Sequence, residues 1–131
     1  MKFKFPLKGA FYYTCEFGDR RNPITGKKQF HTGIDIAAPF YRRKIYIRSV
    51  EDGIVIESKR GTGYGNFILI KHRNGFVTRY AHLKKRFVRK YRKVKKGSKI
   101  GIMGTTGRST GRHLHFEVLY KKKLYNPQLI F

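Results

Sequence analysis

The sequence predicts a mainly β, antiparallel fold with little helix, and two observations indicate it. Short apolar runs with period-two alternation are separated by turn-forming glycines along most of the chain. No long segment shows the 3.6-residue periodicity of an amphipathic helix. With 131 residues and 40% hydrophobic composition, the chain is expected to form one domain, residues 1–131, around one core.

The strongest strand signals lie in the middle of the chain. In "EDGIVIES" an Asp-Gly turn leads into alternating apolar residues, and this pattern predicts an antiparallel hairpin. The stretch "NFILIKHRNGFVTRYAHL" contains two β-rich runs joined at Asn74-Gly75, a pair typical of tight hairpin turns. Two more apolar runs flank a Gly, Ser and Thr cluster in "KKGSKIGIMGTTGRSTGRHLHFEVLY". At most one short helical turn is expected beside these strands.

The charge balance is unusual, because 31 Lys and Arg against 7 Asp and Glu give a formal net charge of +24. Such an excess favours binding to polyanions, which include nucleic acid, anionic lipid and acidic wall polymers. Residues 84–99 carry ten basic and no acidic side chains, interleaved with Phe87, Val88, Tyr91 and Val94. Two interpretations stand equally: a solvated strand or loop with its apolar residues facing the core, or a docking surface for a polyanion.

The N-terminal residues and the single cysteine bear on compartment. Cys15 has no partner for an internal disulfide, so cysteine usage gives no information about redox environment. The first residues lack an apolar run followed by a small-residue cleavage site, and no signal peptide is predicted. A trimmed secreted form or delivery by a phage would both fit. No apolar run approaches the roughly 20 residues of a membrane-spanning helix, which predicts a soluble or peripheral protein.

Four residues in two motifs suggest a metal site. In "RHLHFEV" strand alternation places His113 and His115 on one face, with the apolar residues between them on the other. In "HTGID" His31 and Asp35 flank a glycine, and a short turn can bring imidazole and carboxylate together. An Asp and two His ligands bind Zn²⁺ and leave a position open for water. The same ligand types also suit non-haem iron, and each residue taken separately is better explained by packing or a turn than by metal binding.

A further histidine favours hydrolysis, and therefore zinc over iron. His82 ends the second strand of the Asn-Gly hairpin, and alternation predicts that it shares a face with Tyr80 and Thr78. A histidine near the metal but not needed as a ligand can act as a general base or donate to an oxyanion. The plain alternative is a half-buried polar residue on a sheet.

Taken in order, "FGDRRNPITGKKQFHTGIDIAAP", "EDGIVIES", "GYGNFILIKHRNGFVTRYAHL", "KKGSKIGIMGTTGRSTGRHLHFEV" and "YNP" resemble the M23, or lysostaphin-like and LytM-type, zinc metallopeptidases from about residue 17 to 127. The resemblance implies the antiparallel β-sheet groove of the duplicated hybrid motif type. It also implies that His31, Asp35 and His115 bind one zinc ion per chain. His82 and His113 match the two catalytic histidines, which act on the attacking water and stabilise the tetrahedral intermediate.

The function implied by this resemblance is hydrolysis of the peptide cross-links of bacterial peptidoglycan, in the cell envelope or outside the cell. We expect the positive surface to hold the protein to anionic wall polymers. A catalytically silent module that binds wall or activates other hydrolases is the alternative. A nucleic-acid-binding protein is less well supported, because no nucleic-acid motif accompanies the charge.

Other positions carry weaker expectations. Arg20 and Asn22 precede His31 and are expected at the wall of the site, where they would touch substrate or support the metal, although a polar turn explains them at least as well. His72 is interpreted as structural or as a surface residue. No role is assigned to "GYGN". Residues 40–50, "FYRRKIYIRSV", depart from the Gly-containing turn and Ala-rich strand usual in the family, and would make the cleft more cationic.

Overall fold

The computed structural model describes residues 3–22, 24–39, 43–107 and 111–131. Within these ranges the chain forms twelve strands and one short 3₁₀ helix. The strands are β1 Tyr12–Cys15, β2 Gly18–Arg21, β3 Lys28–His31, β4 Ile34–Ala37, β5 Tyr46–Arg48, β6 Gly53–Gly61, β7 Gly65–His72, β8 Phe76–Arg86, β9 Lys93–Val94, β10 Lys99–Met103, β11 Leu114–Tyr120 and β12 Lys123–Tyr125. The helix, Pro127–Ile130, is the short helical turn that the sequence allows. None of the helices described is long and apolar enough to cross a membrane.

The strands form one large antiparallel sheet and a small one. In the large sheet, of ten strands, the order β1-β4-β11-β8-β7-β6-β9 forms the main path. Off this path β10 pairs with β8 and β5, and β12 pairs with β11. β2 and β3 pair separately as a two-stranded sheet that leads into the His31 segment. The predicted antiparallel β architecture with little helix is confirmed.

One of the two predicted hairpins forms where the sequence indicates it. β7 and β8 pair around Asn74-Gly75, where Gly75 has a φ of 89° and its N–H donates to the His72 carbonyl. The chain bends at residues 50–52, just before β6, but the hairpin predicted around Asp52-Gly53 does not form. β6 pairs with β7 and β9, while the preceding β5 pairs with β10. A dipeptide encodes the local bend, and the choice of strand partner depends on contacts made elsewhere.

The core lies behind the central strands, and alternation decides which side chains enter it. Along β11, Leu114, Phe116 and Val118 are fully buried, as the alternating pattern predicts. Ile68 and Ile70 of β7 pack in the same cluster. Burial of each such side chain stabilises the fold by about 1.5–3 kcal/mol. The core therefore anchors β11 from behind and leaves its other face for polar residues.

The basic segment 84–99 supports the core-facing interpretation only in part. Val88 and Val94 are buried, but Phe87 is 40% exposed and Tyr91 is 77% exposed. The two valines thus anchor the segment, and the aromatic side chains lie at the surface among the cations. This arrangement leaves the polyanion-docking interpretation open.

Candidate active site

The register of four neighbouring strands places four residues in one row across the sheet. Cys15 of β1 lies opposite Asp35 of β4, Asp35 lies opposite His115 of β11, and His115 lies opposite Ala81 of β8. Directly opposed residues in an antiparallel ladder project from the same face. Asp35 and His115 are 80 positions apart in the chain, and this register makes them neighbours.

Asp35 lies between the histidines that the sequence predicts as its partners. His115 Nδ1 is 2.8 Å from one carboxylate oxygen of Asp35, and His31 Nε2 is 3.2 Å from the other. His113 Nε2 lies 3.8 Å from the first oxygen. The ring centres of His31 and His115 are 5.0 Å apart. The structure therefore brings the three predicted ligands together and adds His113 at their edge.

Gly33 allows the "HTGID" turn to pass against β11. A Cβ atom at this position would collide with the Phe116 carbonyl oxygen and lie 2.9 Å from Glu117 Cγ. The glycine between His31 and Asp35 is therefore needed for a close approach of two backbones, not for a positive φ. This approach brings the two predicted ligands of the turn to the strand that carries His115.

Hydrogen bonds fix the orientation of the two candidate ligand imidazoles. His31 Nδ1 donates to the Glu16 carbonyl at 3.0 Å, and His115 Nε2 donates to the Glu117 carboxylate at 2.8 Å. The remaining nitrogen of each ring faces Asp35, where a lone pair would oppose a carboxylate oxygen unless a proton or cation lies between them. Two imidazole nitrogens and a carboxylate oxygen around such a point are a donor set that fits Zn²⁺.

His82 reaches the site through a β-bulge. Between the pairs Ile68–Tyr80 and Asn66–Leu83, β8 has two residues, Ala81 and His82, where β7 has one. His82 has a φ of 62°, a left-handed conformation that is rare for residues other than glycine. Such a bulge re-aims a side chain and is common beside active sites.

Because of the bulge, the His82 side chain points to the opposite face from the one predicted. The expectation that His82 shares a face with Tyr80 is wrong, because Tyr80 is fully buried against Phe116 and His82 lines the site. Strict alternation would have turned His82 into the core. The extra residue shifts the alternation by one position and returns the imidazole to the face that carries His115.

The two histidines that are not predicted to be ligands, His82 and His113, are both held by backbone groups of the β10–β11 connection. His82 Nδ1 donates to the Thr106 carbonyl at 2.6 Å, and His113 N–H donates to the Gly104 carbonyl at 3.3 Å. Their rings are 5.4 Å apart. Burial lowers the pKa of each imidazole, and the neighbouring histidines lower it further. Both rings are therefore neutral near pH 7, and His82 keeps Nε2 as a proton acceptor.

A buried carboxylate, that of Glu117, lies behind the site and is not among the residues predicted from the sequence. Glu117 is fully buried, and one of its oxygens accepts hydrogen bonds from His115, from Thr32 at 2.5 Å and from Tyr64 at 2.8 Å. Its other oxygen accepts from Arg79 at 2.6 Å. Carboxylates in this position orient metal-binding imidazoles and raise their basicity.

Of Glu117, Tyr64 and Arg79, only Glu117 could have been predicted from the sequence to lie at the site. Glu117 follows His115 by two positions, so alternation places both on one face. Arg79 is brought opposite Glu117 by the register of β8 and β11, and Tyr64 comes from the turn after β6. No local pattern indicates these two contacts.

The ionisation of the site follows from these contacts. Burial alone would raise the pKa of Asp35, but hydrogen bonds from His115 and His31 outweigh it and hold the pKa well below its usual range. Burial opposes a charged His115, yet its bonds to Asp35 and Glu117 raise its pKa to about 9. Burial would raise the pKa of Glu117, but hydrogen bonds from His115 and Thr32 outweigh burial and lower this pKa to about 2. Without a metal, the site is a cationic imidazole between two carboxylates.

The site opens into a cavity of about 340 Å³. It is lined by His31, Thr32, Asp35, Gly63, Tyr64, His82, His113 and His115. All five residues predicted for metal binding and catalysis are in this set, and none of the described residues lining it is a lysine or arginine. The role of each of these five residues stays a prediction.

Cys15 belongs to a second possible ligand group. Its sulfur and the ligand atoms of His31 and Asp35 all lie within 4.8 Å of one another. Arg20 Nη1 donates to this sulfur at 3.0 Å. Arg20 therefore lies beside the candidate metal site, although it is not among the residues that line the cavity.

Two other predicted positions have structural roles. Asn22 Oδ1 accepts from the N–H groups of Ile24 and Thr25, which makes it a turn residue between β2 and β3. The buried His72 bonds to the Asp52 carbonyl and the Thr78 hydroxyl, in agreement with its structural interpretation.

Comparison with known proteins gives matches over most of the chain. The sequence profile described as Peptidase family M23 matches residues 29–127. The peptidoglycan DD-endopeptidase ShyB of Vibrio cholerae serotype O1 is 43% identical over 122 residues, which are 92% of this chain and 28% of that protein. This chain spans about a quarter to a third of the length of the curated relatives it matches first.

Solved structures show the same fold. A zinc-containing peptidase from Vibrio cholerae matches with a TM-score of 0.86 and 38% identity, over 96% of this chain and 39% of that chain. The catalytic domain of lysostaphin from Staphylococcus simulans matches with a TM-score of 0.78 and 26% identity, over 91% of this chain and 90% of that chain. The lysostaphin-like architecture predicted from the sequence is confirmed.

Proposed function

Because the chain belongs to peptidase family M23, we propose that it is a zinc-dependent endopeptidase that hydrolyses the peptide cross-links of bacterial peptidoglycan. The observation that carries this proposal is the convergence of five residues from three separate segments on one cavity, with Asp35 between His31 and His115. The named activity of the relative from Vibrio cholerae supports the choice of substrate. Residues 1–131 would act as one peptidase domain.

His31 through Nε2, Asp35, and His115 through Nδ1 would hold the zinc ion. When bound, zinc lowers the pKa of a water ligand from about 15.7 to about 7 and polarises the substrate carbonyl. The bonds of His31 to Glu16 and of His115 to Glu117 orient the two rings and place an N–H on the nitrogen that faces away from Asp35, so that the other nitrogen of each ring is the one available to a metal.

The two remaining histidines do the proton chemistry. Since burial keeps both neutral near pH 7, an imidazole can accept the proton of the attacking water as its oxygen adds to the scissile carbonyl carbon. The same proton then passes to the leaving nitrogen as the C–N bond breaks. The other imidazole donates to the oxyanion of the tetrahedral intermediate. His82 and His113 share these two tasks, and their rings lie close enough to act on one substrate.

We also propose where the enzyme acts and what its positive surface binds. The substrate class locates the activity in the cell envelope or outside the cell. The net charge of +24 would retain the enzyme on anionic wall polymers, with binding that weakens as salt increases. A wall polymer is favoured over nucleic acid, because no recognisable nucleic-acid-binding motif accompanies the charge in the sequence.

The test uses purified protein, isolated walls and mass spectrometry of new amino termini. We expect the wild type to contain zinc and release new termini, and His115→Ala to lose both. His72→Asn, which alters a histidine away from the cavity, should retain zinc in its folded fraction. Undiminished hydrolysis by His115→Ala would overturn the proposal. Zinc binding without any new termini would favour the wall-binding or activating module instead.

A further inference from the structure

Three side chains of the kinds that bind metals lie together beside the histidine cavity, and the proposed mechanism uses only two of them. The sulfur of Cys15 and the ligand atoms of His31 and Asp35 all lie within 4.8 Å of one another. Ligands of one zinc ion lie about 2.0–2.3 Å from the metal, so two of them can be at most about 4.5 Å apart. The three atoms are therefore close to the spacing that a single ion requires. Among the described residues, His115 does not belong to this group.

A β-bulge in β1 turns Cys15 toward these ligands. Tyr13 and Cys15 lie opposite consecutive residues of β4, the second of them Asp35, so that Thr14 is an extra residue in β1. Tyr13 packs against the core, and strict alternation would place Cys15 on that same face. The extra residue shifts the alternation by one position and puts the sulfur on the face that carries Asp35. The bulge in β8 has the same effect on His82.

The sulfur of Cys15 can be reached by an ion and contacts one cationic side chain. Cys15 is half-buried and lines a cavity of about 400 Å³, which gives an ion a route to the sulfur. Arg20 Nη1 donates to the sulfur at 3.0 Å. A cationic donor suits a thiolate, which is the form of cysteine that binds metals. The same positive charge opposes a bound cation, so we expect this group to hold zinc more weakly than His31, Asp35 and His115 do.

We propose that Cys15, His31 and Asp35 form a second metal position, which takes a thiophilic divalent cation such as Cd²⁺. There the cysteine thiolate takes the place of His115, and the thiol proton is released to solvent. Sulfur, imidazole nitrogen and carboxylate oxygen all bind zinc-like ions, and a thiolate favours the softer ones. Because both positions need His31 and Asp35, one ion excludes the other, and a cation without His115 as a ligand stops hydrolysis. This inhibition rests on the proposed endopeptidase function, whereas the metal binding itself does not.

The first test measures metal binding by the metal-free protein, with Cd²⁺ as the probe. Cys15 is the only cysteine in the chain, so thiol signals report on this residue alone. In the wild type we expect Cd²⁺ to produce the ultraviolet charge-transfer absorption of a cadmium–thiolate bond and to block alkylation of the sulfur by iodoacetamide. His115→Ala should keep both effects, although it is expected to lose zinc on purification. His31→Ala should lose both at the same Cd²⁺ concentration, and His82→Ala is the matched control that should retain them.

A second test measures hydrolysis and separates this inference from the proposed function. Cd²⁺ should inhibit the release of new amino termini from walls by the zinc-loaded wild type, and should not inhibit Cys15→Ser. Absence of the charge-transfer absorption in the wild type, or the same absorption in His31→Ala, would overturn the second metal position. Equal inhibition of Cys15→Ser would overturn its effect on hydrolysis, because Cd²⁺ would then act at the position that includes His115. Cadmium–thiolate absorption in a wild type that releases no termini would instead count against the proposed endopeptidase function alone.

Discussion

Glu117→Gln tests whether the buried carboxylate behind His115 contributes to metal binding. The carboxylate accepts four hydrogen bonds, from His115, Thr32, Tyr64 and Arg79. A glutamine has nearly the same shape but only one acceptor oxygen, and its NH₂ group must face donors on the other side. At least one buried donor loses its partner in either orientation of the amide.

The expected losses of stability and of zinc affinity in Glu117→Gln follow from these contacts. A hydrogen bond to a charged group contributes about 1.5–3 kcal/mol, and removal of one member of a buried ion pair destabilises by about 3–5 kcal/mol. The Arg79–Glu117 pair is 2.6 Å long, with Arg79 20% exposed and Glu117 buried, so we expect a loss of stability of about 3 kcal/mol. Loss of such a partner weakens metal binding by about 10–100-fold.

The assay is competition for zinc between the folded variant and a chelator, with circular dichroism to confirm folding and urea unfolding to measure stability. Tyr64→Phe is the matched control, because it removes one bond to the same oxygen and leaves the His115–Glu117 contact intact. It should change zinc affinity by less than about threefold. Zinc affinity of Glu117→Gln within twofold of wild type would refute the reasoning, as would an equal loss in Tyr64→Phe.

Three further predictions concern pH, backbone packing and catalysis. In the metal-free protein, His115 has a pKa of about 9, against about 6.5 in the unfolded chain. Protonated His115 therefore stabilises the fold by up to roughly 3 kcal/mol below pH 6.5, and this contribution is lost as the pH rises through 9. Urea unfolding from pH 6 to 10 measures the free energy of unfolding, and the absence of a decline in it would contradict the prediction. In Gly33→Ala the new methyl group would collide with the Phe116 carbonyl, and thermal unfolding should show a loss of stability of about 2–4 kcal/mol. The control Gly63→Ala, which has open space around the new methyl group, should change stability by under about 0.5 kcal/mol. His82→Ala should retain zinc and lose wall hydrolysis by about 10²-fold or more; loss of zinc would instead identify it as a ligand.

Alternation along β11 could be predicted from the sequence, and with it one face of the site. His113 and His115 project into the cavity while Leu114 and Phe116 enter the core. The Asn-Gly hairpin was equally visible. Both features are local, since a strand's two faces and a two-residue turn depend on neighbouring residues alone.

Other features depended on strand pairing over long distances. The bulge that turns His82 to the site requires β8 to have one more residue than β7 between two pairs, and His82 by alternation belongs in the core. The partner of Asp35 is set by the register of β4 and β11. Register follows from the packing of whole strands, which no local pattern contains.

The sequence by itself determined the family, the antiparallel class and the identity of five candidate residues, because these depend on residue types, spacing and order. Only the tertiary structure decided what surrounds them: the four donors on Glu117 and the bulge that turns His82 toward the cavity. These features join separate segments, and they depend on which strands pair and how closely two backbones approach. Contacts between distant segments form only when the whole sheet closes around its core, so their chemistry is a property of the fold.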